Sequence, residues 1–238
     1  MKNRLNKIIL FSILALSFSS CTKEWCGVKG VGPVRSQERI ITNFNGVDLQ
    51  LAGRVNLIQD SAFSVIVTTY SNYHPLINTY VRGGTLVVDS RKSLSDENVT
   101  IEIHLPSLEY LNIGGSGDIH TSSGFNSSYV KLNVSGSGKI NFSGNVSDLD
   151  AVISGSGKIY LSGNSDNSKM RISGSGDIKG YAMICQNNEA TISGSGEIET
   201  NVVDNLIARI SGSGNINYIG YPSVQTHISG SGNVNHHN

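Results

Sequence analysis

Apolar and polar residues alternate along much of the chain, at the period of two that is typical of half-buried β-strands. In the second half of the chain, β-branched aliphatic residues also recur in two columns, three positions before and three positions after the same serine. The upstream column contains Ile113, Val134, Ile153, Ile172, Ile192, Ile210 and Ile228, and the downstream column contains Ile119, Ile140, Ile159, Ile178, Ile198, Ile216 and Val234. This pattern predicts that all of these side chains face one interior.

A glycine-rich motif, Ser-Gly-Ser-Gly-x-Ile or a close variant, lies between the two columns and occurs seven times. Its central residues are Ser116, Ser137, Ser156, Ser175, Ser195, Ser213 and Ser231, so the repeat is 18–21 residues long. Paired glycines would each cost a helix about 1 kcal/mol relative to alanine, whereas they permit a bend or a close backbone approach between strands. Each repeat therefore predicts a strand, a Gly-Ser-Gly corner, a second short strand and a polar return such as residues 144–148.

The repeat predicts an all-β fold, because a single unit of this kind cannot bury its apolar face without stacking on its neighbours. Stacked coils lie about 4.8 Å apart and place equivalent residues above one another. We therefore expect a single-stranded parallel β-helix (β-solenoid) with 18–21 residues per coil, right-handed like other parallel crossovers. A propeller blade needs about 40 residues, and a sandwich does not require identical columns in seven repeats.

The repeat also divides the chain into predicted segments. Residues 111–238 form the regular repeats, and residues 40–110 are expected to form irregular first coils that act as an N-terminal cap, because they alternate without the motif. Residues 21–39, with three glycines and Pro33, are predicted to be a tether. The last repeat leaves a strand edge, so a homodimer through the C-terminal end is one expectation.

The first 20 residues have the pattern of an export signal. A positive start is followed by an apolar stretch, Ile8 to Phe18, that is too short to span a bilayer permanently. The sequence Phe-Ser-Ser-Cys then resembles a loose lipobox, which predicts a lipoprotein signal peptide at 1–20 and lipid attachment at Cys21. An ordinary secretory signal is the alternative. The expected location is the cell envelope, as an outer-membrane lipoprotein that is periplasmic or surface-exposed, in which Cys26 and Cys185 either pair or stay as thiols.

The charge balance of the chain limits the kinds of binding partner that can be expected. The chain has 18 basic and 18 acidic residues and no formal net charge, which gives no electrostatic reason to bind nucleic acid or an anionic membrane. Contact with the membrane is therefore expected through the lipid. We predict no cofactor and no metal site, since the motif does not have the nine-residue period of a calcium-binding β-roll.

Two outward columns of charged and polar residues are the candidate ligand face. The predicted members of this face are Asp118, Lys139, Lys158, Asp177, Glu197, Lys179 and Glu199. A solvated, self-neutralising surface is the favoured interpretation, and a carbohydrate or ion site is the second. A catalytic centre, as in polysaccharide-degrading β-helices, is the third, because such sites need clustered carboxylates, arginines or metal ligands. No catalytic residue is predicted.

The repeats resemble the family of exported Bacteroidetes proteins described as putative auto-transporter adhesin, head-GIN domain. The segments Phe44-Asn45-Gly46-Val47, Gly-Gly-Thr-Leu at 83–86 and Pro106-Ser107-Leu108 also fit this family, over residues 40–238. The resemblance implies a β-helical fold and an adhesive role towards a glycan or protein ligand. Two alternatives remain, a periplasmic structural scaffold and a polysaccharide-degrading enzyme.

Overall fold

The computed structural model describes residues 27–96, 98–122 and 124–238, and the secondary structure of these residues is all β. They form a β-solenoid of about 7 turns built from stacked parallel strands, which confirms the predicted fold class. The strands are β1 (Val34–Glu38), β2 (Gly46–Leu49), β3 (Arg54–Gln59), β4 (Ser64–Tyr70), β5 (Ile77–Arg82), β6 (Thr85–Ser90), β7 (Val99–Leu105), β8 (Tyr110–Ile113), β9 (Asp118–Thr121), β10 (Phe125–Val134), β11 (Lys139–Ile153), β12 (Lys158–Ile172), β13 (Asp177–Ile192), β14 (Glu197–Ile210), β15 (Asn215–Ile219), β16 (Ser223–Ile228) and β17 (Asn233–His236).

The repeated isoleucines form continuous interior files, as the sequence predicts. Ile140, Ile159, Ile178 and Ile198 are paired residue by residue between successive parallel strands, and each has no exposed surface. The upstream residues pair in the same way, from Val134 to Ile228, and those from Val134 to Ile210 are buried. Ile228 is 48% exposed, so the prediction that it faces the interior was wrong, because its strand β16 is the last in this column of paired strands. Each file buries branched aliphatic side chains against identical neighbours, so that burial of apolar surface stabilises the whole stack.

The segment predicted to be a polar return is instead part of one long strand in the four coils that contain β11, β12, β13 and β14. In β11, residues 144–148 continue the parallel pairing with β12, for example Gly144 with Gly163. Asparagine amides bridge the coils along this side, since Asn145 Nδ2 donates to Asn126 Oδ1 at 3.2 Å and Asn164 Nδ2 donates to Asn145 Oδ1 at 2.8 Å. The prediction of a loop here was wrong, because the next coil pairs with these backbone groups and no turn is needed.

The corners of successive coils lie so close together that they leave no room for side chains at the glycines. The N–H of Ser156 donates to the carbonyl of Gly136 at 3.1 Å, and the N–H of Lys158 donates to that of Gly138 at 3.0 Å. A Cβ on Gly157 would lie 2.4 Å from the same Gly138 oxygen. The motif therefore needs glycine for close approach, and its serines contribute main-chain donors to a ladder between the corners.

The N-terminal coils do not stack in chain order. Strand β2 pairs in parallel with both β6 and β8, and β3 pairs in parallel with both β7 and β9. The coil β2–β3 therefore lies between the coil β6–β7 and the coil β8–β9. Strands β4 and β5 pair antiparallel with β7 and β6, which covers edges that an open parallel stack would leave unpaired.

The structure differs from the predicted tether over residues 27–38. Strand β1 pairs antiparallel with β4, from Val34 opposite Tyr70 to Glu38 opposite Ile66. Upstream of β1, the buried Tyr73 hydroxyl donates to the carbonyl of Val28 at 2.7 Å. These residues belong to the cap because the edge of β4 and the Tyr73 hydroxyl supply partners for their backbone groups. Residues 21–26 of the predicted tether lie outside the described residues.

The cysteines divide between the core and the part of the chain that the structure does not describe. Cys185 is a free, buried thiol in β13, and burial raises its pKa above the ordinary value. Cys21 and Cys26 lie outside the described residues. In the described part of the chain, no helix has the length and apolar character needed to cross a membrane.

We expect Gly176→Ala to destabilise the solenoid and Gly124→Ala to leave it unchanged. A Cβ at Gly176 would lie 2.4 Å from the Gly157 oxygen and 2.7 Å from Ile153 Cγ2, whereas a Cβ at Gly124 meets nothing within 4 Å. Forcing a methyl group into the corner should lower the free energy of unfolding by about 1–3 kcal/mol. Urea denaturation measures the difference, and equal midpoints for the two variants would show that the corner can relax without cost.

Candidate binding groove

The two outward columns identified in the sequence are stacked in register along one face of the solenoid. The first column runs through Asp118, Lys139, Lys158, Asp177 and Glu197, and the second runs through His120, Asn141, Tyr160, Lys179 and Glu199. All of these side chains are at least partly exposed. The seven residues predicted as a ligand face therefore lie on one face of the molecule.

Ion pairs neutralise much of the charge in these columns. Lys158 Nζ donates to Asp177 Oδ2 at 2.7 Å. Lys179 Nζ donates to Glu199 Oε1 at 2.8 Å and also to Glu197 Oε2. These pairs join adjacent coils, as the sequence-based interpretation of a self-neutralising face requires.

Lys179 is the most strongly perturbed of these groups. Partial burial acts to lower the pKa of its ammonium group. The hydrogen bonds that this group donates to Glu197 and Glu199 outweigh burial and raise the pKa well above the usual range. The Asp177 hydrogen bond also raises the pKa of Lys158. Lys179 therefore remains a fixed cation between two carboxylates at every physiological pH.

A groove of about 370 Å³ lies beside the second column. It crosses β9, β11, β12, β13 and β14, which are adjacent strands of the stack. Four spacings of about 4.8 Å give it a length of about 19 Å along the solenoid axis. The groove is lined by His120, Thr121, Asn141, Phe142, Ser143, Tyr160, Leu161, Ser162, Lys179, Tyr181, Ala182 and Glu199.

A β-bulge in β13 forms one wall of the groove. The pairing of β12 with β13 passes from Tyr160–Lys179 to Ser162–Ala182, so that two residues, Gly180 and Tyr181, lie opposite the single residue Leu161. A bulge changes the direction of the side chains around it. Here Gly180 stays buried and Tyr181 reaches the groove.

The pairing of β13 with the neighbouring strand β14 is also interrupted at the bulge. This pairing passes directly from Gly180–Thr200 to Ile184–Asn201, so three residues of β13 loop out between these pairs. A Cβ at Gly180 would lie 2.7 Å from the carbonyl oxygen of Glu199. The bulge therefore depends on glycine at this position, because the backbone of the next coil passes too close for a side chain.

Two tyrosines and two apolar side chains give the groove its chemistry. Tyr160 is 38% exposed, whereas Phe142 and Leu161 are 2% exposed and form the floor. Burial raises the pKa of the Tyr181 phenol, and the nearby Glu199 acts in the same direction. The Tyr181 phenol therefore stays neutral, and both tyrosines offer an apolar ring with a polar hydroxyl at its edge.

The predicted ligand face and the groove overlap only in part. Lys179 and Glu199 line the groove, whereas the other five predicted residues, Asp118, Lys139, Lys158, Asp177 and Glu197, are not among its lining residues. Sequence reasoning placed Asn141 in the second column but missed the uncharged lining residues Ser143, Ser162 and Ala182. The spacing from Ser175 to Ser195, which is 20 residues after two spacings of 19, marks the extra residue of the bulge and was the available signal.

The acidic and metal-ligating side chains of the groove are few. Glycosidases of the common types use two carboxyl groups, about 5–5.5 Å apart in retaining enzymes and about 6.5–9.5 Å apart in inverting ones. Among the residues that line the groove, Glu199 is the one carboxylate, and it is paired with Lys179. The described residues also contain no group of three or more His, Cys, Asp or Glu side chains placed to hold a metal ion.

We expect Glu199→Gln to lower the pKa of Lys179 and to leave that of Lys158 unchanged. The substitution removes one of the two carboxylates that raise the pKa of Lys179, while the carboxylate that raises the pKa of Lys158 is Asp177. Stability from the Lys179 pairs is present below the ordinary lysine pKa of 10.5 and is lost as the pH rises through the raised value. NMR titration of the lysine Cε resonances measures both pKa values, and an unaltered Lys179 would refute the paired geometry.

Solved structures with the same fold cover most of the chain. A putative adhesin from Bacteroides fragilis NCTC 9343 has a TM-score of 0.83 at 21% identity and covers 89% of this chain and 100% of its own. A protein from Parabacteroides distasonis ATCC 8503 described as a putative lipid binding protein has a TM-score of 0.75 at 26% identity, with 89% and 99% covered. A putative adhesin from Parabacteroides merdae ATCC 43184 has a TM-score of 0.70 at 24% identity, with the same coverage.

The family assignment comes from sequence. A comparison with curated proteins finds no significant match. Residues 43–222 match the profile of the family described as putative auto-transporter adhesin, head GIN domain. This match covers most of the solenoid, including the bulge and the groove. The chain therefore belongs to the auto-transporter adhesin head-GIN domain family.

Proposed function

We propose that the protein is a non-catalytic adhesion module of the cell envelope, which binds its ligand through the groove and the polar columns beside it. The observation that carries this proposal is a concave site with two tyrosines, Tyr160 and Tyr181, spread over five coils of a rigid stack. The adhesin description of the family supports the same role. The one carboxylate among the lining residues, Glu199, is paired with Lys179, which favours recognition over acid–base chemistry.

The stack is well suited to hold such a site in a fixed shape. Each groove residue lies on a strand that pairs with strands on both of its sides, apart from the three residues that loop out at the bulge. Beneath them, Ile159 and Ile178 have no exposed surface. A preorganised site loses little conformational entropy on binding, so a rigid wall of this kind suits an adhesin.

A lipid on Cys21 would place the N-terminal cap next to the membrane. The folded cap includes Val28, which is bridged to Leu94, and the described chain begins at Gly27. Six residue steps separate positions 21 and 27, and at about 3.3–3.6 Å per residue they reach at most about 22 Å. Strand β8 pairs with β2 of the cap on one side and with β10 on the other, and the coils that carry the groove continue from β10. The groove therefore lies on the opposite side of the coil β2–β3 from β6 and β7.

Two other functions have less support. A periplasmic scaffold would have no use for a groove that depends on a bulge and on a glycine at position 180. The Parabacteroides distasonis protein is described as a putative lipid binding protein. Lipid binding in this chain would need a location outside the core, because Ile159 and Met170 are fully buried in the interior. An acyl chain would have to lie on the outer surface of the solenoid.

We expect Cys21→Ala to abolish fatty-acid attachment and Cys26→Ala to preserve it. Acylation of the first mature residue requires the thiol at the end of the lipobox-like segment, whereas Cys26 follows it by five positions. Cells that produce each variant are fed an alkyne-labelled fatty acid, and the label on the purified protein is quantified. Label that persists in Cys21→Ala would contradict a lipid at this position.

We also expect intact cells to expose the solenoid to the medium. A membrane-impermeant amine reagent should label the protein on intact cells, because lysines such as Lys158, whose side chain is 47% exposed, lie on the outward columns. A periplasmic protein of the same cells serves as the control for leakage. Labelling that occurs only after lysis would refute surface adhesion and favour the periplasmic scaffold.

A further inference from the structure

We infer that the groove binds a neutral oligosaccharide segment, laid along the solenoid axis and held by Tyr160 and Tyr181. This inference rests on the proposed function and names the ligand class of the same site. Its basis is the coincidence of aromatic rings, uncharged hydrogen-bonding groups and internally paired charges in one elongated groove.

The shape of the groove favours an extended polymer. It crosses five adjacent strands, so its lining groups recur at the strand spacing of about 4.8 Å. Asn141, Ser143 and Ser162 provide amide and hydroxyl groups on two neighbouring coils. A chain of sugar units presents hydroxyl groups at regular intervals and can meet such donors and acceptors one after another.

The tyrosines supply surfaces for the apolar faces of sugar rings. Tyr160 lies on β12, and Tyr181 is carried into the groove on β13 by the bulge. Both rings keep part of their surface exposed, above a floor of Phe142 and Leu161. A tyrosine combines a large apolar area with a hydroxyl that finds a polar partner, which matches the mixed surface of a sugar ring.

The charges in the groove favour a neutral ligand over an anionic one. Among the lining residues, Lys179 contributes one positive charge and Glu199 contributes one negative charge, and the two side chains are paired with each other. Lys179 is also bound to Glu197, which lies outside the groove. Uronic acids and sulfated sugars would therefore find no unpaired lysine or arginine among the lining residues to balance their charge.

The backbone of the groove does not favour a peptide ligand. Strands that bind peptides by β-augmentation offer a free edge. Strands β11, β12 and β13 each pair with a strand on both sides, apart from the three residues of β13 that loop out at the bulge. At the bulge, the carbonyl of Tyr181 accepts a hydrogen bond from Asn201 Nδ2 at 3.4 Å, so no free strand edge is open to a peptide there. Recognition through exposed side chains of tyrosine, asparagine and serine is what remains, and it suits a hydroxyl-rich ligand.

The test uses the purified full-length protein and an array of hexasaccharides, with neutral glucans, xylans and mannans and acidic polyuronates, alongside immobilised matrix proteins. Affinity for the best neutral probe is then measured by calorimetry for three groove variants, Tyr160→Ala, Tyr181→Ala and Ala182→Trp. The matched controls are Tyr129→Ala and Ala62→Trp, because Tyr129 is 42% exposed and Ala62 is also exposed, and both lie outside the groove.

The expected result is binding of a neutral hexasaccharide that each groove variant weakens at least about tenfold, while both controls bind like the parent. Ala182→Trp fills the groove without removing a polar group, and an unchanged urea unfolding midpoint of a variant shows that its loss of binding does not come from a loss of stability. Neutral-glycan binding that survives all three groove variants would overturn the groove as the site and leave the adhesion proposal intact. Preference for polyuronates or for a matrix protein would overturn the ligand class, and a protein that binds nothing on the array would overturn both proposals.

Discussion

The close approach of successive Gly-Ser-Gly corners is the constraint on which the rest of the structure depends. Each corner donates backbone N–H groups to the corner below it, as Ser156 does to Gly136 at 3.1 Å, and the glycines leave no side chain to hold the coils apart. The hydrogen bonds between corners thereby determine both the distance between successive coils and the register in which their strands pair. Once that register is set, Ile140 lies above Ile119 and below Ile159, and burial of identical branched side chains stabilises the stack.

The same register turns single outward residues into columns. Each outward residue lies beside the equivalent residue of the next coil. Lys179 therefore lies opposite Glu199, and its Nζ donates to Glu199 Oε1 at 2.8 Å. Such cross-strand pairs each contribute little on an exposed surface. Their larger consequence is that the lysine and the carboxylate that line the groove, Lys179 and Glu199, neutralise each other. Shape, aromatic surface and hydrogen bonds are then what the groove offers to distinguish one ligand from another.

The fold was predictable from sequence because the information is repeated. Seven copies of one motif determine the period, the corner and the buried face, and the paired isoleucines follow from them. The cap was not predictable in detail, since β2 and β3 insert between later strands and no local pattern encodes that order. The charged columns follow from the repeat, since equivalent residues are stacked in register. The groove beside them was not predicted, because it depends on how the backbone accommodates an extra residue in one coil. The change in spacing to 20 residues indicated that an insertion exists without showing that Tyr181, two positions after Lys179, would face outward.

The insertion is tolerated because three features meet at one position. Gly180 accepts the close approach of the Glu199 carbonyl, with only 2.7 Å available to a Cβ. The following repeat, from Ser195 to Ser213, is 18 residues long, so β14 passes beneath the bulge without following it. Beyond the bulge the register resumes, and Ala190 and Ile192 pair with Ala208 and Ile210. A solenoid of identical coils has flat walls, and a local change in repeat length is the simplest way for it to acquire a concave site while the interior files stay continuous. The wall of the groove therefore forms where the repeat length changes from 19 to 20 and then to 18 residues, as expected if the regular coils serve stability and the irregular one serves recognition.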